Sequence, residues 1–166
     1  MRILVRQAAN LLVNSGIQKD DFVALHMHNR PEYLVCRPAI TQIVSVPVNE
    51  HFQAAECSYI IQKCGISHLI AEPCSIGIYL ELYEKLNLRT LILAGKESDD
   101  PGVVSLNSAM EQQPDTLRTQ TAVCFEDAAV ILFTSGTTRY PKGVVCTHCN
   151  LIYGGLQPLS SVPEAP

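Results

Sequence analysis

The sequence predicts an α/β fold, a mostly parallel sheet with flanking helices. Three observations carry that expectation. Short apolar runs recur along the chain, segments of helical periodicity alternate with them, and Gly, Pro, Asn or Asp punctuates the joins. Alternation of this kind builds βαβ units, in which each helix crosses back over the sheet and covers one of its faces.

Taken in order, Arg2–Ser15 is expected to be helical, with Ile3, Val5, Ala8, Leu11 and Leu12 on one face and Gly16 as its stop. No Ser, Thr, Asp or Asn precedes it, so the chain is expected to begin inside an element. Phe22–Met27 reads as a strand and Arg30–Gln42 as a helix with Pro31 in its first turn, kinked or interrupted at Pro38. Ile43–Val48 is the next strand. Gln53–Cys64 follows as a helix closed by Gly65, and the i, i+3, i+4, i+7 spacing of Cys57, Ile60, Ile61 and Cys64 puts all four on its core face. A strand at His68–Ala71, a helix around Ile78–Leu86 and a strand at Thr90–Ala94 complete this run. Between Gly95 and Thr121 the pattern weakens into a connecting segment, with an acidic turn at Glu97–Gly102 and a short helix at Val104–Gln112. Asp127–Phe133 and Gly143–His148 are strands joined by the polar loop Thr134–Lys142. A helix starting after Asn150 is expected to fail at Gly154, Gly155 and Pro158. The expected organisation is a partial domain over residues 1–155 and an irregular Pro-rich tail over 156–166.

Composition excludes several function classes. Twelve Lys and Arg against sixteen Asp and Glu give a net charge of -4 in a chain of 166 residues, with no basic run to attract nucleic acid or an anionic membrane. The longest apolar stretch, Ala128–Phe133, falls far below the roughly 18 residues of a membrane span. Arg6 interrupts the apolar start at Ile3–Val5, so no secretory leader is read there and a cytoplasmic location is expected. The seven cysteines are an odd number and fall mostly within apolar patterns, which points to reduced, packed thiols.

The segment Thr134-Ser135-Gly136-Thr137-Thr138-Arg139-Tyr140-Pro141-Lys142-Gly143 carries the chemistry. Its hydroxyls, a glycine that admits close backbone approach and a lysine all suit an anion such as phosphate. Ordinary turns use many of the same residues; the lysine and the crowd of hydroxyls favour a ligand. A Walker loop is excluded, because Pro141 replaces its second Gly, Gly143 replaces its Ser/Thr, and a strand follows where that motif needs a helix.

These residues, with Asp127–Phe133 before them and Val144-Val145 and His148-Cys149-Asn150-Leu151 after, resemble the phosphate-loop signature of the adenylate-forming (AMP-binding) superfamily, in its acyl-CoA synthetase branch. Asp21–Met27, Asn29–Tyr33 and Val46–Asn49 match the same enzymes in order and spacing, up to about Gly155. Within the superfamily, Ala24–Met27, Pro47–Asn49 and Thr134–Gly143 are most similar to carnitine/crotonobetaine-CoA ligases. The resemblance implies an acid–thiol ligase that joins a small-molecule carboxylate to ATP, releases pyrophosphate and passes the acyl-adenylate to coenzyme A, with Mg²⁺ assisting. It implies that Thr134, Ser135, Gly136, Thr137, Thr138 and Lys142 hold the β- and γ-phosphates, Lys142 and Thr137 acting in catalysis by stabilising charge on the leaving pyrophosphate.

Three positions depart from the pattern. Arg139 and Gln42 stand where most members have Gly, and Arg37 replaces a small residue, which bears on local packing. The family's chains are several times longer, so this one is expected to be an N-terminal portion, inactive alone, whose sheet lacks neighbouring strands and exposes an apolar face or edge. The alternative is a non-catalytic nucleotide-binding or interaction module that keeps the loop. No metal site is expected. Cys146 and Cys149 have CxxC spacing but no second pair, His148 reads as structural, and His26 and His28, at strand spacing, read as packing or surface residues on one side of their strand.

Overall fold

A computed structural model describes residues 1–39, 43–117, 122–134 and 141–160, the last five of these as backbone only. The helices are α1 (Arg2–Asn14), α2 (Pro31–Ala39), α3 (Ala54–Cys64), α4 (Ile76–Leu82), α5 (Leu106–Glu111) and α6 (His148–Ser160). The strands are β1 (Phe22–His26), β2 (Val44–Pro47), β3 (His68–Ala71), β4 (Thr90–Leu93), β5 (Val103–Ser105), β6 (Ala128–Thr134) and β7 (Lys142–Thr147).

All seven strands join one sheet in the order β5-β4-β3-β1-β2-β6-β7, parallel except for the antiparallel β6–β7 pair. The α/β class is thus observed, and β2-β1-β3-β4-β5 is a doubly wound order. Winding goes from β1 outward to β2, then returns to β3 on the other side of β1. The β1/β3 boundary is therefore where the chain reverses direction across the sheet.

Alternation along the strands sorts side chains into two cores. Val23 and Leu25 of β1 face α1, α2 and α5, packing with Ala8, Leu11, Leu12, Val35, Cys36, Leu106 and Met110. Ala24 lies on the opposite face with Val44, Val46, Leu69 and Leu91, where Cys57, Ile60 and Ile61 of α3 and Tyr79 of α4 cover the sheet. Each fully buried Ile or Leu removes enough apolar surface from water to contribute about 1.5–3 kcal/mol. Within the apolar face of α1, buried Asn10 donates from Nδ2 to the carbonyls of Pro114 and Thr116, both at 2.9 Å, tying the segment after α5 to this helix.

Several expectations are corrected. Ile3 is 54% exposed, lying before the part of α1 that packs on the sheet. The weak segment after Gly95 contains β5, whose three residues pair in parallel with Leu91–Leu93, and the helix after it, α5, is shorter than expected. Helix α4 begins earlier than its apolar spacing suggests and stops at Leu82. Helix α6 does not fail at its glycines: it continues through Gly154, Gly155 and Pro158 to Ser160, although two glycines together cost about 2 kcal/mol in propensity. Its start is well anchored. Thr147 Oγ1 accepts from the Asn150 backbone N–H at 3.3 Å, Asn150 Oδ1 accepts from the Thr147 N–H at 2.9 Å, and the N–H groups of His148 and Cys149 bond back to Asp127 and Phe125.

Pro38 lies inside α2, which is described as far as Ala39; Gln42 lies outside the described residues. Arg37 is exposed in the last turn of α2, where a cation suits the helix terminus and disturbs no packing. His26 and His28 do not share surroundings, because β1 ends at His26 and strand alternation ends with it. His26 is buried, with Nδ1 at 2.6 Å from the Tyr79 hydroxyl, whereas the His28 side chain is half exposed beside Glu72. Burial pushes the pKa of the Tyr79 hydroxyl up and that of the His26 imidazole down. Burial also opposes the charge of Glu72, but hydrogen bonds from His28 and Arg30 outweigh it and bring that carboxyl down to about 2.

Candidate functional site

Strand β6 carries the central run Ala129, Val130 and Ile131 into the sheet beside β2, where Ser45 Oγ donates to the Ala129 carbonyl at 3.2 Å. It emerges at the carboxyl edge and returns as β7. The antiparallel register pairs Leu132 with Val144, Phe133 with Gly143 and Thr134 with Lys142. The residues that bound the segment expected to hold phosphate, Thr134 and Lys142, therefore stand directly opposite one another. Thr134 Oγ1 donates to the Lys142 carbonyl at 3.4 Å, and both side chains are exposed. Gly143 permits this closure: a Cβ there would meet the Ile131 methyl at 3.1 Å and the Phe133 ring at 3.2 Å.

Of the residues expected at the site, Thr134 and Lys142 are brought together. Ser135, Gly136, Thr137, Thr138 and Arg139 lie outside the described residues. Lys142 also borders an open groove of about 880 Å³ between β6–β7 and α3, lined by Phe22, Tyr59, Lys63, Phe133, Pro141 and Lys142 among others. Lys63 thus supplies a second cation to the groove that receives Lys142. Nothing local in the sequence marks it, because an ordinary basic residue in the last turn of a helix looks the same. Cys64, expected in the core, is only half buried and lines this groove.

The start of β6 is anchored by Asp127. Asp127, one residue before β6, accepts from the Cys124 N–H at 2.9 Å and pairs with Lys19 Nζ at 3.0 Å; these two contacts, the first foremost, lower its pKa. Cys146 ends up on β7 and Cys149 in the first turn of α6, both half buried free thiols. Along the same hairpin, apolar surface is open: Leu132, Val144, Val145, Ile152 and Tyr153 are 42%, 50%, 58%, 46% and 67% exposed. The expected exposed apolar edge is present at β7, the terminal strand of the sheet. Among the described residues, no helix is long and apolar enough to cross a membrane.

Comparison with known proteins agrees with this geometry. The family described as AMP-binding enzyme matches residues 1–162. The crotonobetaine/carnitine–CoA ligase of Proteus mirabilis is 39% identical over 157 residues, which make up 91% of this chain and 30% of that protein. Among solved structures, ATP-bound MatB from Rhodopseudomonas palustris superimposes with a TM-score of 0.82 at 27% identity, covering 96% of this chain and 31% of that one. An anthranilate CoA ligase in complex with anthranoyl-AMP superimposes with a TM-score of 0.81 at 25% identity, covering 89% of this chain and 29% of the other. The chain spans about 30% of the length of the curated relatives it matches. With Thr134 and Lys142 paired across the β6–β7 hairpin of a doubly wound sheet, and with the family match running almost end to end, the chain belongs to the AMP-binding enzyme family.

Proposed function

We propose that this chain supplies the pyrophosphate-holding part of an ATP-dependent acid–thiol ligase, in which a carboxylate and ATP give an acyl-adenylate that coenzyme A converts to a thioester. The observation that carries the proposal is the β6–β7 register, which sets Thr134 against Lys142 at the mouth of the loop. A cation and a hydroxyl at facing positions of a strand pair are placed to meet negative charge as it develops on the leaving pyrophosphate, and preorganised electrostatics of this kind lowers a barrier. Lys142 and Thr137 are assigned to that role, and Thr134, Ser135, Gly136 and Thr138 to holding phosphate oxygens.

Mg²⁺ is the ion the family implies. The described residues lining the groove include two lysines and no carboxylate, a donor set that does not fit a resident divalent cation, so no step is routed through one. Similarity to crotonobetaine/carnitine–CoA ligases supports carnitine or crotonobetaine as the carboxylate.

Binding of pyrophosphate and ATP to the protein and to Lys142→Ala, followed calorimetrically, tests the assignment. Lys142 is exposed, so the variant folds normally and loses roughly tenfold or more in affinity, as expected for a charge-assisted contact. Unchanged affinity in a folded variant would remove Lys142 from the site. Residues 1–166 alone are expected to show only background ATP–pyrophosphate exchange with carnitine, crotonobetaine or other acids. Alignment of carboxylate and α-phosphate can supply about 7–11 kcal/mol of such a barrier, and this segment holds one side of that alignment. Exchange that depends on Lys142 would refute this.

A further inference from the structure

A second cluster of chemistry-bearing groups lies away from the phosphate loop, at the carboxyl ends of β1 and β3. Two strand-to-helix connections meet there. Met27–Arg30 leads from β1 into α2 on one face of the sheet, and Glu72–Ser75 leads from β3 into α4 on the other. The two helices depart to opposite faces at the point where the winding reverses, and the connections meet there: Ser75 Oγ donates to the His26 carbonyl at 3.1 Å, and the Glu72 carboxylate reaches His28 and Arg30. In open α/β sheets the crevice at such a switch point is the general location of ligand sites.

The crevice is furnished with ligand atoms. A ring nitrogen of His28, a carboxylate oxygen of Glu72 and Sγ of Cys74 all lie within 4.8 Å of one another. They are the one such trio among the described residues. The Glu72 side chain is 6% exposed and fixed from two directions. Its Oε1 accepts from the His28 backbone N–H at 2.8 Å and touches His28 Nδ1, while its Oε2 accepts from Arg30 Nη1 at 3.1 Å. His28 and Cys74 are exposed and open the trio to solvent. Arg30 is in turn held by Glu32, Nε to Oε2 at 3.3 Å.

We propose that the crevice between β1 and β3 is a divalent metal site of the zinc type, with His28 Nδ1, Glu72 Oε1 and Cys74 Sγ as its protein ligands. Mixed nitrogen, oxygen and sulfur donors select zinc over magnesium or calcium, which take oxygen ligands. Three protein ligands leave a fourth tetrahedral position for water or an exogenous group. Arg30 does not compete for the ion, because it occupies Oε2; it orients the carboxylate from behind as an outer-shell partner. An ion would take the place of the contact that His28 Nδ1 now makes with the Glu72 carboxylate. On binding, the Cys74 thiol gives up its proton to solvent. The bound ion would reinforce the joint between the β1–α2 and β3–α4 connections that Glu72 already makes through His28 and Arg30.

The purified protein, stripped with a chelator and then titrated with Co²⁺ and Zn²⁺, provides the test. One Co²⁺ per chain is expected, with a sulfur-to-cobalt charge-transfer band, and Zn²⁺ is expected to raise the midpoint of thermal unfolding. Cys74→Ser should fold normally, since Cys74 is exposed, and should lose the band and at least tenfold in Zn²⁺ affinity. His28→Ala should weaken Zn²⁺ to a similar degree. A Cys146→Ser/Cys149→Ser double variant should keep both the band and the affinity. Absence of the band, or its persistence in Cys74→Ser, would overturn the proposal; so would its loss in the Cys146→Ser/Cys149→Ser protein.

Discussion

Gly95→Ala offers the sharpest test of how the carboxyl edge of the sheet is built. Gly95 has φ +80°, in the left-handed region, and a Cβ placed on it would lie 1.8 Å from Arg30 Nη2 and 2.6 Å from Arg30 Cζ. The guanidinium therefore fills the space a side chain would take. Arg30 is flexible enough to swing aside, so the clash itself is relieved; what is lost is the bond from Arg30 to buried Glu72. Two terms result: about 1–2 kcal/mol for a non-glycine residue in the left-handed region, and about 1.5–3 kcal/mol for a hydrogen bond between charged groups. Their sum is about 2.5–5 kcal/mol, which at a urea slope of about 2 kcal/mol/M displaces the unfolding midpoint by about 1.2–2.5 M. A double-mutant cycle separates the terms. In an Arg30→Ala background the second term is already gone, so Gly95→Ala should cost only the backbone term of about 1–2 kcal/mol. Urea unfolding of the four proteins measures the coupling. Equal costs for Gly95→Ala in both backgrounds would show that Arg30 and Gly95 do not share this space energetically.

Further predictions concern the two cores and pH. Tyr79→Phe removes the hydroxyl that bonds His26 Nδ1, in a place where Nε2 already has no partner among the described residues; a loss of about 1–3 kcal/mol is expected by denaturant unfolding. Ile60→Ala leaves a cavity under α3 and should cost about 2–5 kcal/mol by the same assay, whereas Ile3→Ala, at an exposed position, should stay within about 0.5 kcal/mol. Burial lowers the pKa of His26 and of His68 below the ordinary 6.5. The unfolded chain then binds more protons than the folded one in the window just below that value, so stability rises with pH there. It should be fully present above about pH 7 and fall as the pH drops from 6.5 toward 5, read as the urea midpoint across that range; a midpoint that holds or rises on acidification would contradict it. Arg139→Gly is expected to preserve activity in a complete enzyme, because a smaller residue lets the loop close over phosphates; a large loss of turnover would mean that Arg139 itself contacts phosphate.

The sequence by itself determined the class and most of the elements. The i, i+3, i+4, i+7 repeat in α3 and the apolar runs in β1, β3 and β4 are local signals, and burial of Cys57, Ile60, Ile61, Leu69 and Leu91 follows from them. The Thr134–Lys142 segment carried the resemblance to adenylate-forming enzymes, and the AMP-binding family match over residues 1–162 agrees with that family. What the sequence left open depends on residues distant along the chain. Strand β5 is three residues long, too short for a periodic signal, and exists because Leu91–Leu93 offers it a ladder. Helix α6 persists through two glycines and a proline where summed propensity argues against it, with its start anchored by Thr147, Asn150 and bonds back to the chain before β6. Lys63 faces the groove of Lys142 only because α3 packs beside the β6–β7 hairpin. His28 and Glu72 are 44 residues apart, and no local pattern shows that they meet. They meet because β1 and β3 are adjacent in register, Val23 to His68 through His26 to Ala71, and end together at the edge where the winding reverses. Periodicity records which side of an element is apolar; strand order decides which ends of the chain share a crevice, and that order is set by the packing of the whole sheet.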